Sequence, residues 1–358
     1  MVDEIFQKFT EDDIKSYEKS GYKLVGKNKH SAVQLCRWTK SKIKNKKNCY
    51  KSVYGIKSHR CIQFTPTLDF CDFSCTFCWR SFGKDRFKSE NKWDSPSELI
   101  DEMILAQRKL ISGFGGDKEV TKQSFAEAND PHHVAISLDG EPTLYPQIAD
   151  LIKEIKNRNM TVFIVTNGTM PNRVKELYEK EAEPDNLSIS VYATNKENYK
   201  KITNSFIENE FEKVLETLDL MKNFKTARTI MRTTIVKGLN DGNAEEFSNL
   251  INKFKPKFVQ LKGYSWLGES KKRLKLSNMP EMKEIENYGK TIQEKTNYIP
   301  KLKDPVSRVI IFVKDEETWL WNKEKNKEQD ERLSKRPESN FQTKKVLKGK
   351  LFKELART

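Results

Sequence analysis

The densest chemistry in this 358-residue chain lies in Phe70–Arg80, F-C-D-F-S-C-T-F-C-W-R, where Cys71, Cys75 and Cys78 follow a C-x3-C-x2-C spacing. Three thiolates this close can hold three irons of a 4Fe-4S cube and leave the fourth iron open to a small chelating molecule. Zinc is the second reading, although a structural zinc site ordinarily adds a nearby Cys or His and none follows here. Incidental thiols are the third. A disulfide framework does not fit: with no secretory leader and no long apolar run, the chain is expected in the reducing cytoplasm, with no membrane partner. All six cysteines fall between Cys36 and Cys78. Cys36, Cys49 and Cys61 form a second, wider triad; such crowding points to metal, while their spacing alone fits buried or incidental thiols equally.

Lys and Arg number 66 against 51 Asp and Glu, a formal charge of +15. An excess of this size suits an extended anionic partner, most often nucleic acid, or else a lysine-rich solvated surface. Two basic stretches stand out, Lys40–Lys47 and Lys271–Lys275. The second lies beside Trp266, and an aromatic among cations can stack a base while the cations hold phosphate.

The elements that must position these residues are α/β. Residues 10–22 read as a capped helix ended near Gly21, and a second helix is expected from Ser31 through Trp38. From Cys61 onward, β-branched apolar runs at Cys61–Thr65, His133–Leu138, Thr161–Thr166, Leu187–Tyr192, Thr229–Val236 and Phe258–Lys262 alternate with helical segments. Those segments are Ser95–Phe114, opened by the capping box Ser95-x-x-Glu98, then Pro146–Asn157, Pro171–Glu181, Glu208–Lys222 and Ala244–Lys253. Strands that scarcely alternate imply a parallel sheet covered by helices. An incomplete (β/α)6 barrel fits better than a doubly wound sheet, and in either fold chemistry gathers at the carboxyl ends of the strands. Ser307–Val313 reads as one more strand, residues 325–345 as a mobile linker and Lys345–Leu355 as a basic helix. The expected division is an N-terminal cysteine-bearing extension at 1–60, the partial barrel at 61–300 and a C-terminal extension at 301–358.

Two strand ends besides the cysteine loop carry polar residues. In S-L-D-G-E-P-T-L-Y-P, Gly140 would let a ligand approach the backbone and Glu141 supplies a carboxylate suited to an ammonium group. In V-T-N-G-T, Thr166 and Asn167 suit a carboxylate or ribose. D-G and N-G are also ordinary turn dipeptides, but three such ends in one sheet would face one cavity.

Together these residues resemble the radical S-adenosylmethionine enzymes that build the tricyclic wyosine bases of tRNA, the 4-demethylwyosine synthases. C-x3-C-x-F-C-W-R alone would specify only the superfamily. H-S-A-V-x-x-C-R-W-T, C-Y-K-x-x-x-Y-G-I-x-S-H-R-C, G-E-P-T-L-Y-P and V-T-N-G-T together are similar to this one family, from about Gly21 to Val313. The resemblance implies a lyase-class enzyme that joins a two-carbon fragment of pyruvate to N1-methylguanosine beside the anticodon of tRNA(Phe). It implies that Cys71, Cys75 and Cys78 ligate a 4Fe-4S cluster whose open iron binds S-adenosylmethionine, the source of the radical that attacks the N1-methyl group. Glu141 and Asn167, with Gly140, Thr166 and Ser190, match cofactor-holding positions. Cys36, Cys49 and Cys61 match ligands of a second 4Fe-4S cluster suited to chelate pyruvate, and Lys51 matches a lysine that forms a Schiff base with its keto group. Eukaryotic members carry a flavodoxin-like domain ahead of this region. With about thirty residues before Cys36, the chain resembles the archaeal form, a monomer that takes electrons from a separate flavodoxin or ferredoxin. The readings that compete with this one are a glycyl-radical activase and a zinc-stapled RNA-binding protein.

Overall fold

A computed structural model describes residues 9–80 and 92–335. Helix α1 (Glu11–Lys19) begins with a capping box: Thr10 Oγ1 accepts from Asp13 N at 3.2 Å and Asp13 Oδ2 accepts from Thr10 N at 2.9 Å. Strands β1 (Tyr22–Val25) and β2 (Ser31–Gln34) form an antiparallel pair. The helix expected from Ser31 is therefore a strand as far as Gln34. Ser31, Ala32 and Val33 are all buried, and β2 pairs with β1 on one side and with the first barrel strand on the other. Sheet pairing outweighs local propensity over so short a run. Helix α2 (Arg37–Ile43) starts only after Cys36.

Six β/α units follow. Strand β3 (Cys61–Thr65) leads through helices α3 (Pro96–Ile111) and α4 (Lys122–Asn129) to β4 (His133–Ile136). Next come α5 (Ile148–Asn157), β5 (Thr161–Thr166), α6 (Pro171–Glu179), β6 (Asn186–Ser190), α7 (Lys196–Thr203) and α8 (Glu210–Asp219). Strand β7 (Arg228–Ile235), α9 (Ala244–Phe254) and β8 (Phe258–Gly263) complete the parallel set. Helix α10 (Met282–Lys295), the hairpin of β9 (Ile299–Asp304) and β10 (Val309–Val313), and α11 (Glu316–Ser334) close the described chain.

The sheet runs β1-β2-β3-β4-β5-β6-β7-β8-β10-β9, parallel from β3 to β8 and antiparallel at both flanks. An order that never reverses has no switch point, and successive right-handed crossovers then put every helix on one face. Packing agrees. Val134, Ile136, Val162, Ile164, Leu187, Met231 and Leu261 share one core with Leu99 and Met103 of α3, Leu151 of α5, Leu177 of α6, Val214 of α8, Ile251 of α9 and Ile292 of α10. Ala135, Phe163, Ile230 and Phe258, one position out of phase, point to the other face and pack against Trp38, Tyr50 and Tyr54. The result is an open barrel, with β1 and β9 as its edges.

The C-terminal segment departs from expectation. Residues 325–334 belong to α11, which folds back beneath the sheet; the rest of the expected linker and the helix expected at 345–355 lie outside the described residues. Trp319 and Trp321 pack into the inner cluster. Asn322 Nδ2 and Asn326 Nδ2 donate to Val53 O at 3.0 and 3.1 Å, and Gln329 Nε2 donates to Gly55 O at 3.0 Å. Among the described residues no helix is long and apolar enough to cross a membrane.

Candidate active site

The loop after β3 carries Cys71, Cys75 and Cys78 across the carboxyl ends of the strands. Backbone bonds pin it to α7, from Ser74 N to Thr203 O and from Thr76 N to Ile202 O, both 2.9 Å. Arg273 clamps it from above, its guanidinium donating to Thr76 O at 3.1 Å and to Cys78 O. The three thiols share a cavity of about 170 Å3 with Gly140, Glu141, Thr166, Asn167 and Ser190. The strand ends singled out in the sequence thus meet at one hollow.

Inside it, the two polar motifs bind each other. The Glu141 carboxylate accepts from Thr143 N at 3.0 Å, from the Thr143 and Thr166 hydroxyls at 2.6 Å each, and from Asn167 N at 2.7 Å. Asn167 Nδ2 donates to Asp72 Oδ1 at 2.5 Å, while Asn167 Oδ1 accepts from Thr169 N and Oγ1. Burial and the Asp72 carboxylate push Glu141 up to about 7 despite these donors. Gly140 has φ +66°, and a Cβ there would stand 1.9 Å from Thr67 O and 2.6 Å from Phe70 O. Only glycine lets the G-E-P turn close on the cysteine loop, where Glu141 N donates to Phe70 O at 2.6 Å.

Burial, with Asp72 next to it, holds the Cys71 thiol well above its usual range, so a thiolate there needs a cation to stabilise it. No group of three His, Cys, Asp or Glu side chains among the described residues closes on a point as a single-ion site would. In a cube each thiolate holds a different iron, and three thiols on one wall of a hollow fit that donor set.

The second triad packs against the inner face of the barrel. Cys36 caps α2, Cys49 caps the 3-10 turn Tyr50–Tyr54, and Cys61 opens β3. All three pack into the inner cluster. Burial, opposed by Lys51 and aided by Cys36, pushes Cys49 up to about 11 and Cys61 to about 12. Charges that act on one another in this way lie close together. Lys51 stands between the two triads: its Nζ lies 4.1 Å from the Phe163 ring centroid and donates to Ser137 Oγ at 3.4 Å. Ser137 in turn lines the first cavity.

Sequence reading passed over Asp72, Thr143 and Tyr192, which shape the cavity, and over Arg232 and Lys262 on the inner face. The last two had a usable signal, a cation inside a strand of the parallel sheet. The Lys40–Lys47 run is largely committed elsewhere: Lys44 pairs with Asp117 at 2.6 Å and Glu119 at 2.9 Å, Lys46 with Glu119 at 2.6 Å and Lys47 with Asp304 at 2.5 Å. The Lys271–Lys275 loop sits at the mouth instead. Glu269 N donates to Trp79 O at 3.0 Å beside the last cysteine, and Lys271 lies 4.7 Å over Trp266.

Residues 65–251 match the Radical SAM superfamily and residues 253–314 match the wyosine base formation family. The S-adenosyl-L-methionine-dependent tRNA 4-demethylwyosine synthase of Pyrococcus horikoshii is 39% identical over 305 residues, 84% of this chain and 88% of that protein. The synthase of Methanocaldococcus jannaschii is 38% identical over 296 residues, 80% of this chain and 91% of that protein. A solved structure of TYW1 with a lysine–pyruvate adduct bound superimposes with a TM-score of 0.77 at 35% identity, covering 86% of this chain and 97% of the other. With the cysteine loop, G-E-P and T-N-G meeting at the strand ends of an open barrel, the chain belongs to the radical SAM superfamily and, within it, to the tRNA 4-demethylwyosine synthases.

Proposed function

We propose that this enzyme condenses N1-methylguanosine beside the anticodon of tRNA(Phe) with the C2–C3 fragment of pyruvate, giving 4-demethylwyosine. The observation that carries the reading is the place of Lys51, inside the barrel between two cysteine triads and within reach of the Ser137 hydroxyl. Cys71, Cys75 and Cys78 hold one 4Fe-4S cluster, with Gly140, Glu141, Thr166, Asn167 and Ser190 shaping the seat of S-adenosylmethionine; Cys36, Cys49 and Cys61 hold a second. When bound, the first cluster and S-adenosylmethionine supply hydrogen abstraction from an unactivated carbon.

The remaining tasks belong to side chains. The neutral amine of Lys51 adds to the keto carbon of pyruvate, and the keto oxygen leaves as water once the nitrogen has lost its protons and the oxygen has gained them. Ser137 stands where it can pass a proton between the two. Phe163 covers the amine and keeps bulk water from the carbon–nitrogen double bond. The Lys271–Lys275 loop holds RNA phosphates at the mouth while the methylated base leaves the anticodon stack and enters. Electrons come from a separate flavodoxin or ferredoxin, and the enzyme works as a cytoplasmic monomer.

Trapping with cyanoborohydride tests the reading. Reconstituted enzyme incubated with pyruvate is expected to gain a carboxyethyl group on Lys51, located by peptide mass spectrometry. Lys51→Arg is expected to abolish both the adduct and tRNA turnover; full turnover by that variant would remove the role given to Lys51.

A further inference from the structure

Among the described residues, which include all six tryptophans, Trp79 alone of that type is exposed, at 42%. It follows the last cysteine of the loop and lines the same cavity as Cys71, Cys75 and Cys78. Its ring is held in place. The Arg80 guanidinium lies against it, 3.2 Å from the ring centroid, and stands 5.2 Å from that of Tyr22. Arg80 is itself buried and anchored just beyond β4, donating through Nη2 to Leu138 O and pairing with Asp139 at 3.7 Å. Its Nε and Nη1 are buried without a hydrogen-bond partner, which leaves the two rings as the electron-rich surfaces against that cation. On the backbone side, Glu269 N donates to Trp79 O at 3.0 Å and Arg273 donates to Cys78 O. Gly268, at φ +51°, permits this closure, since a Cβ there would stand 2.3 Å from Trp79 O. A large indole held rigid and left in water costs free energy that a binding partner recovers.

We infer that Trp79 is the surface on which the extruded purine of the RNA stacks, so that its methyl group hangs over the cysteine cavity. This rests on the reading of the mouth as the place where a methylated base leaves the anticodon stack. A base taken out of a stack loses the rings of its neighbours. An aromatic side chain replaces one of them, and an indole already fixed does so with little further ordering. The loop tied to Trp79 supplies the charge that a nucleotide needs. Lys272 is paired with Glu269 at 2.7 Å and Arg273 holds the cysteine loop, which leaves Lys271 and Lys275 for the phosphates on either side of the base. A protein, such as the electron donor, is the other partner an exposed tryptophan could meet. A ring that also lines the cavity of the reacting groups suits a base, which has to reach into that cavity, better than a protein surface, which does not.

A binding cycle tests this. Reconstituted enzyme with S-adenosylmethionine is titrated anaerobically with tRNA carrying N1-methylguanosine beside the anticodon, and with the same tRNA carrying an abasic ribose at that position. Trp79→Ala is expected to weaken binding of the base-bearing tRNA about tenfold, the size of one base–aromatic stack. Its affinity for the abasic tRNA, its iron content and its pyruvate trapping are expected to stay within about twofold of the parent. Trp79→Phe is expected to bind the base-bearing tRNA nearly as the parent does, whereas Trp79→Leu, apolar but unable to stack, is expected to behave as Trp79→Ala. Unchanged binding of both tRNAs by Trp79→Ala would overturn the inference, and slower reduction of the cluster by flavodoxin in that variant would then give the ring to the electron donor. Equal weakening of both tRNAs would overturn it too, by placing another part of the RNA on the ring. Iron lost from all three variants would mean that the indole only supports the cysteine loop, with the same result. Extrusion is followed separately, with 2-aminopurine placed next to the methylated base, where it brightens as its neighbour leaves the stack. A probe that stays dark on the parent enzyme would sink the reading of an extruded base itself, so the two failures are distinguishable.

Discussion

Asn322→Ala tests whether the C-terminal helix holds the floor of the active site. Asn322 is fully buried; its Oδ1 accepts from Arg228 Nε at 2.6 Å and its Nδ2 donates to Val53 O at 3.0 Å. Arg228 is itself fully buried, its Nη1 has no partner, and its Nη2 donates to Asn326 Oδ1 at 2.6 Å. Val53 O keeps a donor in the variant, from Asn326 at 3.1 Å. The loss therefore falls on the guanidinium, where a second buried N–H is left unbonded next to a cation that cannot shed its charge. A net loss of about 3 kcal/mol is expected, at the upper end for a hydrogen bond to a charged group. Urea unfolding of the reconstituted enzyme measures it, with exposed Asn252→Ala as a control expected within about 0.5 kcal/mol of the parent. Replacing both partners, in Arg228→Met with Asn322→Leu, is expected to cost less than the two single changes together, because neither member of the Arg228–Asn322 pair is then stranded and only the half-buried Asn326 Oδ1 loses a donor. A loss under about 1 kcal/mol for Asn322→Ala, or strict additivity in the pair, would refute the idea that α11 is locked by this network. Val53 lies two residues beyond Lys51, so the same variant is expected to slow pyruvate trapping while leaving S-adenosylmethionine binding in place.

Gly140→Ala places a methyl group against two backbone carbonyls at 1.9 and 2.6 Å with φ at +66°. The cysteine loop must move, and the variant is expected to bind iron poorly while keeping its far-UV circular dichroism. Affinity for tRNA is expected to fall steeply with salt, with a log–log slope of about −3 if roughly four phosphates are held; removing Lys271 and Lys275 is expected to flatten that slope more than removing the paired Lys44 and Lys46. Burial lowers Lys257 to about 8, against 10.5 for a free lysine. The unfolded chain therefore binds the extra proton above pH 8, and this group's contribution makes stability rise with pH by about 1 kcal/mol towards pH 10, its partial exposure and its bonds to the carbonyls of Phe224, Lys225 and Ala227 reducing the effect. The parent minus Lys257→Met difference isolates the effect from the buried tyrosines, which are pushed upward and act in the opposite sense.

Much of the fold was legible because its signals are local. Thr161–Thr166 is β-branched at every position but Phe163, and its bounds were read to the residue. The capping boxes at Thr10 and Ser95 mark helices that begin where the hydroxyl accepts. What stayed hidden is polar burial. Helix α11 was read as a charged linker from residue 325 because the face it buries there presents Asn326 and Gln329 to backbone carbonyls, and a hydrogen-bonding face leaves no apolar stripe. Ser31–Gln34 was read as helix because a four-residue strand declares itself only through its partners. Arg232 and Lys262 escaped for a related reason: the period of two that puts them on the inner face is plain in the sequence, but which face is hollow depends on the whole sheet.

That hollow face bears on the order of events. At the amino ends of the strands, the inner space is filled by Tyr54, whose ring meets those of Phe163 and Phe258, with Trp38, Trp319 and Trp321 packed around them. Helix α11 crosses below, bonded to Val53 and Gly55. At the carboxyl ends lie the cysteine cavity and the Lys271–Lys275 loop. A small acid bound for Lys51 must then enter by the mouth that the RNA covers, and pyruvate is expected to bind before tRNA. Enzyme first saturated with tRNA bearing N1-methylguanosine should form the cyanoborohydride-trapped adduct much more slowly than free enzyme, whereas adduct formed first should leave tRNA affinity unchanged. Equal trapping rates with and without tRNA would mean that a second path reaches Lys51, and the closed end of the barrel would be the place to look for it.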